Sequence, residues 1–218
     1  VVMSGRPLDL SWEDQNIPAI VQAWHLGSKS GDAIAQVLYG DYNPSGKLTM
    51  SFPRNVGQVP VYYNFKNTGR PSTSIEQVTN SGYADVENSP LYSFGYGLSY
   101  TEFKYSDFEI SSSTMTKDSK INVSIRVTNT GKYKGEEVVQ LYLRDIVGSI
   151  ARPMKELKGF EKIELNPGES KIVNFEIENS LLEFYSYNNV WESEPGMFHV
   201  FIGTDSNIKD YKEFYLTD

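Results

Sequence analysis

Cysteine is absent from the 218 residues. That removes disulfides, thiolate nucleophiles and Cys-ligated metals from consideration, but it fixes no compartment, because exported bacterial proteins often lack cysteine too. Histidine is scarce: His25 and His199 stand far apart with no carboxylate at ligand spacing, so no metal site is expected. No run approaches the roughly 20 apolar residues of a membrane-spanning helix, and no charged start leads into an apolar signal stretch. Basic residues are outnumbered, 20 against 28 acidic, for a net charge of −8, and they form no cluster. Nucleic acid is disfavoured electrostatically, while a neutral partner such as a sugar stays compatible. Aromatic surface is plentiful, with 15 Tyr, 11 Phe and 3 Trp, enough to pack a globular core.

The chain opens on Val1-Val2, in mid-pattern, and stops at Ser4-Gly5-Arg6-Pro7, as a buried strand does. "IPAIVQAW" (17–24) reads as a second apolar strand, "HLGSKSG" as a loop, and "DAIAQVLYG" as a helix. In that helix Asp32 is expected as N-cap and Gly40 as the residue that ends it. Strand, loop, strand, loop, helix suggests the tail of an open α/β layer too small to stand alone, with strands missing upstream of Val1. Asn43-Pro44-Ser45-Gly46 is a strong turn, and "KLTMSF" alternates as a short strand. From Pro60 to Pro90 aromatics mix with Gly, Asn, Ser and Pro without a period, the mark of a long irregular connection, which in compact proteins is often functional or lies against a neighbouring domain.

After Phe103 short alternating segments separated by turns predict about seven strands: "KINVSIRVTNTG", "EEVVQLYLRD", "ELKGFEKIEL", "SKIVNFEIE", "EFYSYN", "GMFHVFIG" and "KEFYLT". Ile121, Val123, Ile125 and Val127 should point inward, and "NPGES" (Asn166 to Ser170) should form a hairpin-type loop. The pattern suits an immunoglobulin-like or fibronectin-III-like sandwich. The fold class is therefore α/β plus all-β, the truncated end of an open α/β sandwich domain followed by a fibronectin-III-like β-sandwich. The expected boundaries are 1–59, a connection over 60–102, and 103–218. Asn122-Val123-Ser124 is a glycosylation triplet of a kind that arises by chance.

The segment "AWHLGSKSGDAIAQVLYGDYNPSGKLTMSFP" resembles the C-terminal portion of family 3 glycoside hydrolases, in which a strand ending in Ala-Trp, a Gly-bearing loop, an Ala-rich helix and Gly-Asp-x-Asn-Pro-Ser-Gly-Lys-Leu follow in order. "VPVYYNFKNTGRP" (Val59 to Pro71) and "YSFGYGLSYTEF" (Tyr92 to Phe103) are similar to later signatures of the family, in particular of bacterial periplasmic β-glucosidases. One departure is His25-Leu26-Gly27, where the family commonly has an aromatic-Pro-Gly.

The resemblance implies a retaining enzyme that removes terminal β-linked glucose without a cofactor, in the periplasm or outside the cell. Its nucleophilic Asp and acid/base Glu would lie on a barrel and an earlier part of the α/β domain preceding Val1. Those missing parts and a β-glucoside or oligosaccharide are the implied partners, and no catalytic residue is assigned within this chain. A β-xylosidase of the same family, or a stand-alone carbohydrate-binding or adhesion module, is the alternative.

Retaining hydrolysis needs two carboxyls about 5–5.5 Å apart. Glu13 and Asp14 are sequence neighbours that usually point apart, and Asp41 reads as a turn former. Three residues are candidates for the rim of a sugar cleft. His25 follows a strand end, where ligand-facing loops gather. Arg70 is placed to clamp a hydroxyl, and Tyr83 to stack on a sugar. The competing reading is a histidine satisfied by a nearby backbone group for His25, and interface packing for Arg70 and Tyr83.

Overall fold

The computed structural model describes residues 1–71 and 81–218. Two short helices, α1 (Ser11–Asn16) and α2 (Ser30–Tyr39), lie in the first third, and neither has a buried residue. The two strands expected there reduce to one parallel bridge between Val2 and Gln22, held by Val2 N–H to the Val21 carbonyl and Ala23 N–H to the Val2 carbonyl, both 2.8 Å. Among the described residues no further strand pairs beside this bridge, and parallel strands are found almost only in larger sheets covered on both faces.

Asp32 is not the N-cap. Turning begins earlier, at Ser28-Lys29, so Lys29 occupies the cap and Asp32 sits inside the first turn, 3.2 Å from the Lys29 ammonium in an exposed ion pair. There it favours the helix N-terminus through its charge rather than by capping. Gly40 ends the helix in the left-handed region, φ 82°. "KLTMSF" is likewise not a strand. Leu48 and Phe52 bond to Tyr96 and Tyr92, but the backbone bends between them, leaving a single Phe52–Tyr92 bridge. Phe52, 1% exposed, anchors this region with its ring edge-on to Trp24 at 5.9 Å and to Tyr92 at 6.3 Å.

The remainder is a sandwich of β1 (Phe103–Ile110), β2 (Thr114–Thr116), β3 (Ile121–Asn129), β4 (Gly135–Asp145), β5 (Glu156–Leu165), β6 (Ser170–Ile177), helix α3 (Asn179–Leu182), β7 (Phe184–Tyr185), β8 (Trp191–Glu192), β9 (Gly196–Gly203) and β10 (Lys212–Thr217). One sheet runs β1-β3-β6 and the other β2-β10-β9-β4-β5. Ile121, Val123, Ile125 and Val127 are buried between the sheets, packed with Val139, Leu141, Leu143, Phe198 and Phe214.

Three departures from simple alternation are informative. The "NPGES" loop is an arch rather than a hairpin, because β5 and β6 belong to different sheets. It is clasped by Asn129, whose carbonyl accepts Gly168 N–H and whose N–H donates to the Glu169 carbonyl. The "EFYSYN" strand shrinks to β7, which pairs only with β8 in a separate two-stranded hairpin. In β4 both faces are buried: Leu141 faces the core, while Gln140 and Tyr142 on the opposite face are 3% and 0% exposed. Tyr63, Phe94 and Gly95, which precede the sandwich, cover that outer face and make a seam with it, so its burial cannot be inferred from the strand alone.

Lys155 lies beside this seam, within the sandwich, 6.0 Å from the Tyr142 ring. Its ammonium donates to the carbonyls of Ser206 (3.0 Å) and Ile208 (2.6 Å) and lies 4.1 Å from the Phe201 ring. Burial foremost, then the charge of Lys209, lowers its pKa to about 8. Unfolded lysine titrates near 10.4, so between those values the unfolded chain binds more protons and stability rises with pH. Discounted for partial exposure, the rise is on the order of 1 kcal/mol. The urea midpoint of the wild-type chain should climb from pH 8 to pH 10 relative to that of Lys155→Met, and parallel profiles would contradict this assignment.

Candidate functional site

The three cleft-rim candidates do not converge: among the described residues no hydrogen bond or ion pair joins His25, Arg70 and Tyr83. His25 is exposed at the end of Ala23-Trp24, where Trp24 turns the chain with φ 52°. Its imidazole lies over Gly5 so closely that a β-carbon there would stand 2.6 Å from Nε2. Arg70 is exposed, and its carbonyl accepts Ser81 N–H at 2.7 Å. The 72–80 part of the 60–90 connection lies outside the described residues.

Tyr83 has a built environment. Its N–H donates to Asn88 Oδ1 (3.1 Å), its hydroxyl donates to the Gln58 carbonyl (3.4 Å), and the residue stays 41% exposed. Gln58 organises this corner and is 2% exposed. Oε1 accepts Arg54 N–H (2.6 Å) and Asn55 N–H (3.3 Å), while Nε2 donates to the Glu87 carbonyl (2.6 Å). One side chain thus joins the Asn55–Gln58 turn to the 83–89 segment that carries Tyr83, reinforced by Arg54 donating to the Ser89 carbonyl (3.1 Å). Sequence reasoning missed Gln58, since a lone Gln in an irregular stretch carries no periodic signal. Gln58→Leu leaves two N–H groups and a carbonyl unsatisfied and should cost about 2–3 kcal/mol. Hydrogen exchange should show 83–89 opening well before the sandwich, and uniform exchange would contradict it.

Glu13 and Asp14 lie side by side in α1, and Asp14 accepts the Tyr92 hydroxyl at 2.6 Å. Burial foremost, then that hydrogen bond, pushes the Tyr92 phenol well above its ordinary range. Tyr92 in turn stacks on Tyr96 at 5.4 Å. This carboxylate is engaged in holding an aromatic column.

His199 is also structural. It stacks on Tyr211 at 4.0 Å and contacts Glu213 at 3.1 Å, with its pKa lowered chiefly by burial. Among the described residues no group of three His, Asp or Glu could hold a metal ion.

The turn signature 40–48 has a mechanical role. Lys47 pairs with Glu137 of β4 at 3.1 Å, their side chains 11% and 4% exposed, and also donates to the Gly97 carbonyl (2.8 Å). Tyr105 completes the cluster by donating to Glu137 at 2.9 Å. Tyr42 and Ser45 both donate to Glu136 at 3.1 Å, and Asn43 donates to the Lys134 carbonyl (3.0 Å) while accepting from Ser99 and from Tyr100 N–H. A second junction forms where Gln140 donates to the Gly95 carbonyl (3.1 Å) and accepts the Tyr142 hydroxyl, beside Tyr63 stacked on Phe94 at 4.2 Å. The first third and the sandwich are therefore welded through buried polar groups.

Residues 1–100 match the glycosyl hydrolase family 3 C-terminal domain, and residues 137–206 a fibronectin type III-like domain. The chain is 55% identical over 207 residues to a periplasmic beta-glucosidase of Salmonella typhimurium, covering 94% of this chain and 27% of that protein. It is 42% identical over 221 residues to a beta-xylosidase of Formosa agariphila, covering 100% of this chain and 29% of the other. The crystal structure of a beta-glucosidase from Listeria innocua in complex with glucose superposes with a TM-score of 0.92 at 40% identity, over 99% of this chain and 30% of that one. The chain thus spans less than a third of the length of these relatives.

Proposed function

The chain belongs to glycosyl hydrolase family 3, and from that premise we propose that it serves as the supporting C-terminal part of a retaining, exo-acting β-glucosidase. The observation that carries this reading is an α/β layer without its sheet: a single parallel Val2–Gln22 bridge flanked by a helix, α2, that buries none of its apolar residues. Ile34, Val37 and Leu38, which share one face of that helix at half-buried or exposed positions, form the surface on which the upstream sheet and barrel would seat. The nucleophile and the acid/base group are supplied by those upstream parts. This chain fixes their relative position, and a rigid second domain holds two carboxyls at the separation that retention demands.

Purified chain should give no turnover of an aryl β-glucoside. Mixing it with the upstream part of a family relative should restore activity. Turnover by the chain alone, or no association with that part, overturns the proposal.

Within this reading the described parts of the 60–90 segment, 60–71 and 81–90, lie along the upstream barrel and help shape the aglycone side of its cleft, with His25, Arg70 and Tyr83 at the rim. Arg70→Ala in the intact enzyme should raise KM about tenfold, as loss of one charge-assisted hydrogen bond does. Unchanged kinetics and unchanged stability would remove Arg70 from the rim. The Formosa agariphila relative keeps β-xyloside hydrolysis as a second reading, and the ratio of aryl glucoside to aryl xyloside turnover in the intact enzyme separates them. Export to the periplasm or beyond is part of the same proposal, by analogy with the Salmonella protein.

A further inference from the structure

Several aromatic side chains of the sandwich are exposed, among them Tyr133, Phe160 and Tyr215, and the small β7–β8 hairpin brings two of them together. Tyr185 and Trp191 are direct cross-strand partners, so their rings share one face, 52% and 67% exposed, with centroids 5.9 Å apart. Phe184 and Glu192 form the other pair, and Phe184 is buried beneath the Arg152 guanidinium at 4.2 Å. The hairpin is therefore anchored from below and rigid at its tip, where Ser186 N–H donates to the Val190 carbonyl and Asn189 N–H to the Ser186 carbonyl. Two large rings held outward on such a base gain nothing from the fold itself.

A second observation concerns what lies beside them. A trough of about 290 Å³ is lined by polar side chains that include Lys117, Lys120, Asn179 and the three carboxylates of Asp118, Glu178 and Glu183. Asn179 links trough and hairpin, since it accepts the Ser193 hydroxyl just past β8 and donates to Glu183 at 3.2 Å. Lys120 is neutralised by Glu176 (2.7 Å) and Glu178 (3.3 Å), so the trough offers hydroxyl, amide and carboxylate partners without a net positive field. The Tyr185–Trp191 pair, whose rings meet edge to face at 65°, and the polar, slightly acidic trough joined to the hairpin through Asn179 and Ser193 present an apolar face and a set of hydrogen-bonding groups on neighbouring parts of the surface. A pyranose ring is built the same way, with a C–H face and a hydroxyl rim. The overall charge of −8 disfavours polyanions.

We propose that the β7–β8 hairpin, with Tyr185 and Trp191 as stacking rings and the Asn179 trough as hydroxyl partner, is an accessory binding face for a neutral β-linked pyranose chain. It belongs to the sandwich alone and would hold polymeric substrate independently of any cleft formed with the upstream parts.

The test uses the 218-residue chain in native gels containing soluble cellulosic glucan or xylan, with cellohexaose and xylohexaose titrations followed by tryptophan fluorescence. Retardation in at least one neutral polymer is expected. Trp191→Ala and Tyr185→Ala should each weaken binding about tenfold, the scale of one aromatic contact. Trp191→Phe should retain binding within a few-fold, which guards against a folding defect in the alanine variant. Trp12→Ala, at an exposed ring in α1, should leave binding unchanged. The proposal is overturned if neither polymer nor oligosaccharide binds, if Trp191→Ala and Tyr185→Ala bind like the wild type, or if Trp12→Ala abolishes binding instead. It also falls if the rings are shielded by self-association seen in sedimentation, or if retardation occurs only with a polyanion. Because the readout is binding and not turnover, failure here leaves the proposed supporting role standing.

Discussion

Lys47→Met is expected to destabilise the chain by about 3–5 kcal/mol, because it strands the Glu137 carboxylate, 4% exposed, in the seam with only the Tyr105 hydroxyl for company. A buried ion pair is not itself a large source of stability, since desolvation offsets most of the attraction. The loss comes from leaving one charge unpaired. The double variant Lys47→Met/Glu137→Leu should accordingly recover most of the loss. Urea unfolding of the three variants measures this, and a double variant as unstable as the single would show that the pair does more than neutralise itself. Because typical domains are stable by only about 5–15 kcal/mol, the single variant should also be poorly recovered on expression.

Gly95→Ala should cost about 3 kcal/mol, from two sources at one position. The residue holds φ 82°, where any β-carbon is strained. That carbon would also run into the Gln140 side chain, which is buried and committed to the Gly95 carbonyl and the Tyr142 hydroxyl. Gln140→Ala in the Gly95→Ala background makes room but leaves the backbone strain, so it should restore only part of the loss. Full recovery would mean that the φ angle is not fixed by its surroundings. Thermal unfolding should detect the change as a midpoint lowered by several degrees, about 2–4 °C per kcal/mol in a chain of this size.

Both positions lie in the segments that carry the family resemblance, and both act by joining two parts of the chain. The residues of "GDYNPSGKL" stand out in the sequence as a turn, yet their partners, Glu136, Glu137 and Lys134, are about ninety residues away. Nothing in a local pattern announces such pairing. The same limit explains why Gln58 was invisible while Tyr83 stood out: an exposed aromatic in an irregular stretch draws notice, and a buried amide that positions it does not. Asp32 shows the reverse error. Its residue type and location fit an N-cap, but the chain has already begun to turn at Ser28 and Lys29, and the cap position falls to Lys29, a residue type with no capping side chain.

The sequence by itself determined the sandwich. Alternation at 121–127, the apolar runs of 138–143 and 197–202, and the glycine that ends α2 are local consequences of side-chain period and backbone freedom, which need no knowledge of distant residues. The tertiary structure alone decided which outward faces are covered, that "NPGES" is an arch between sheets, that Trp191 stays exposed while Tyr142 does not, and that the family's turn signature is a weld. Burial and hydrogen-bond partnership depend on which surfaces meet, and that depends on the path of the whole chain rather than on any window of it.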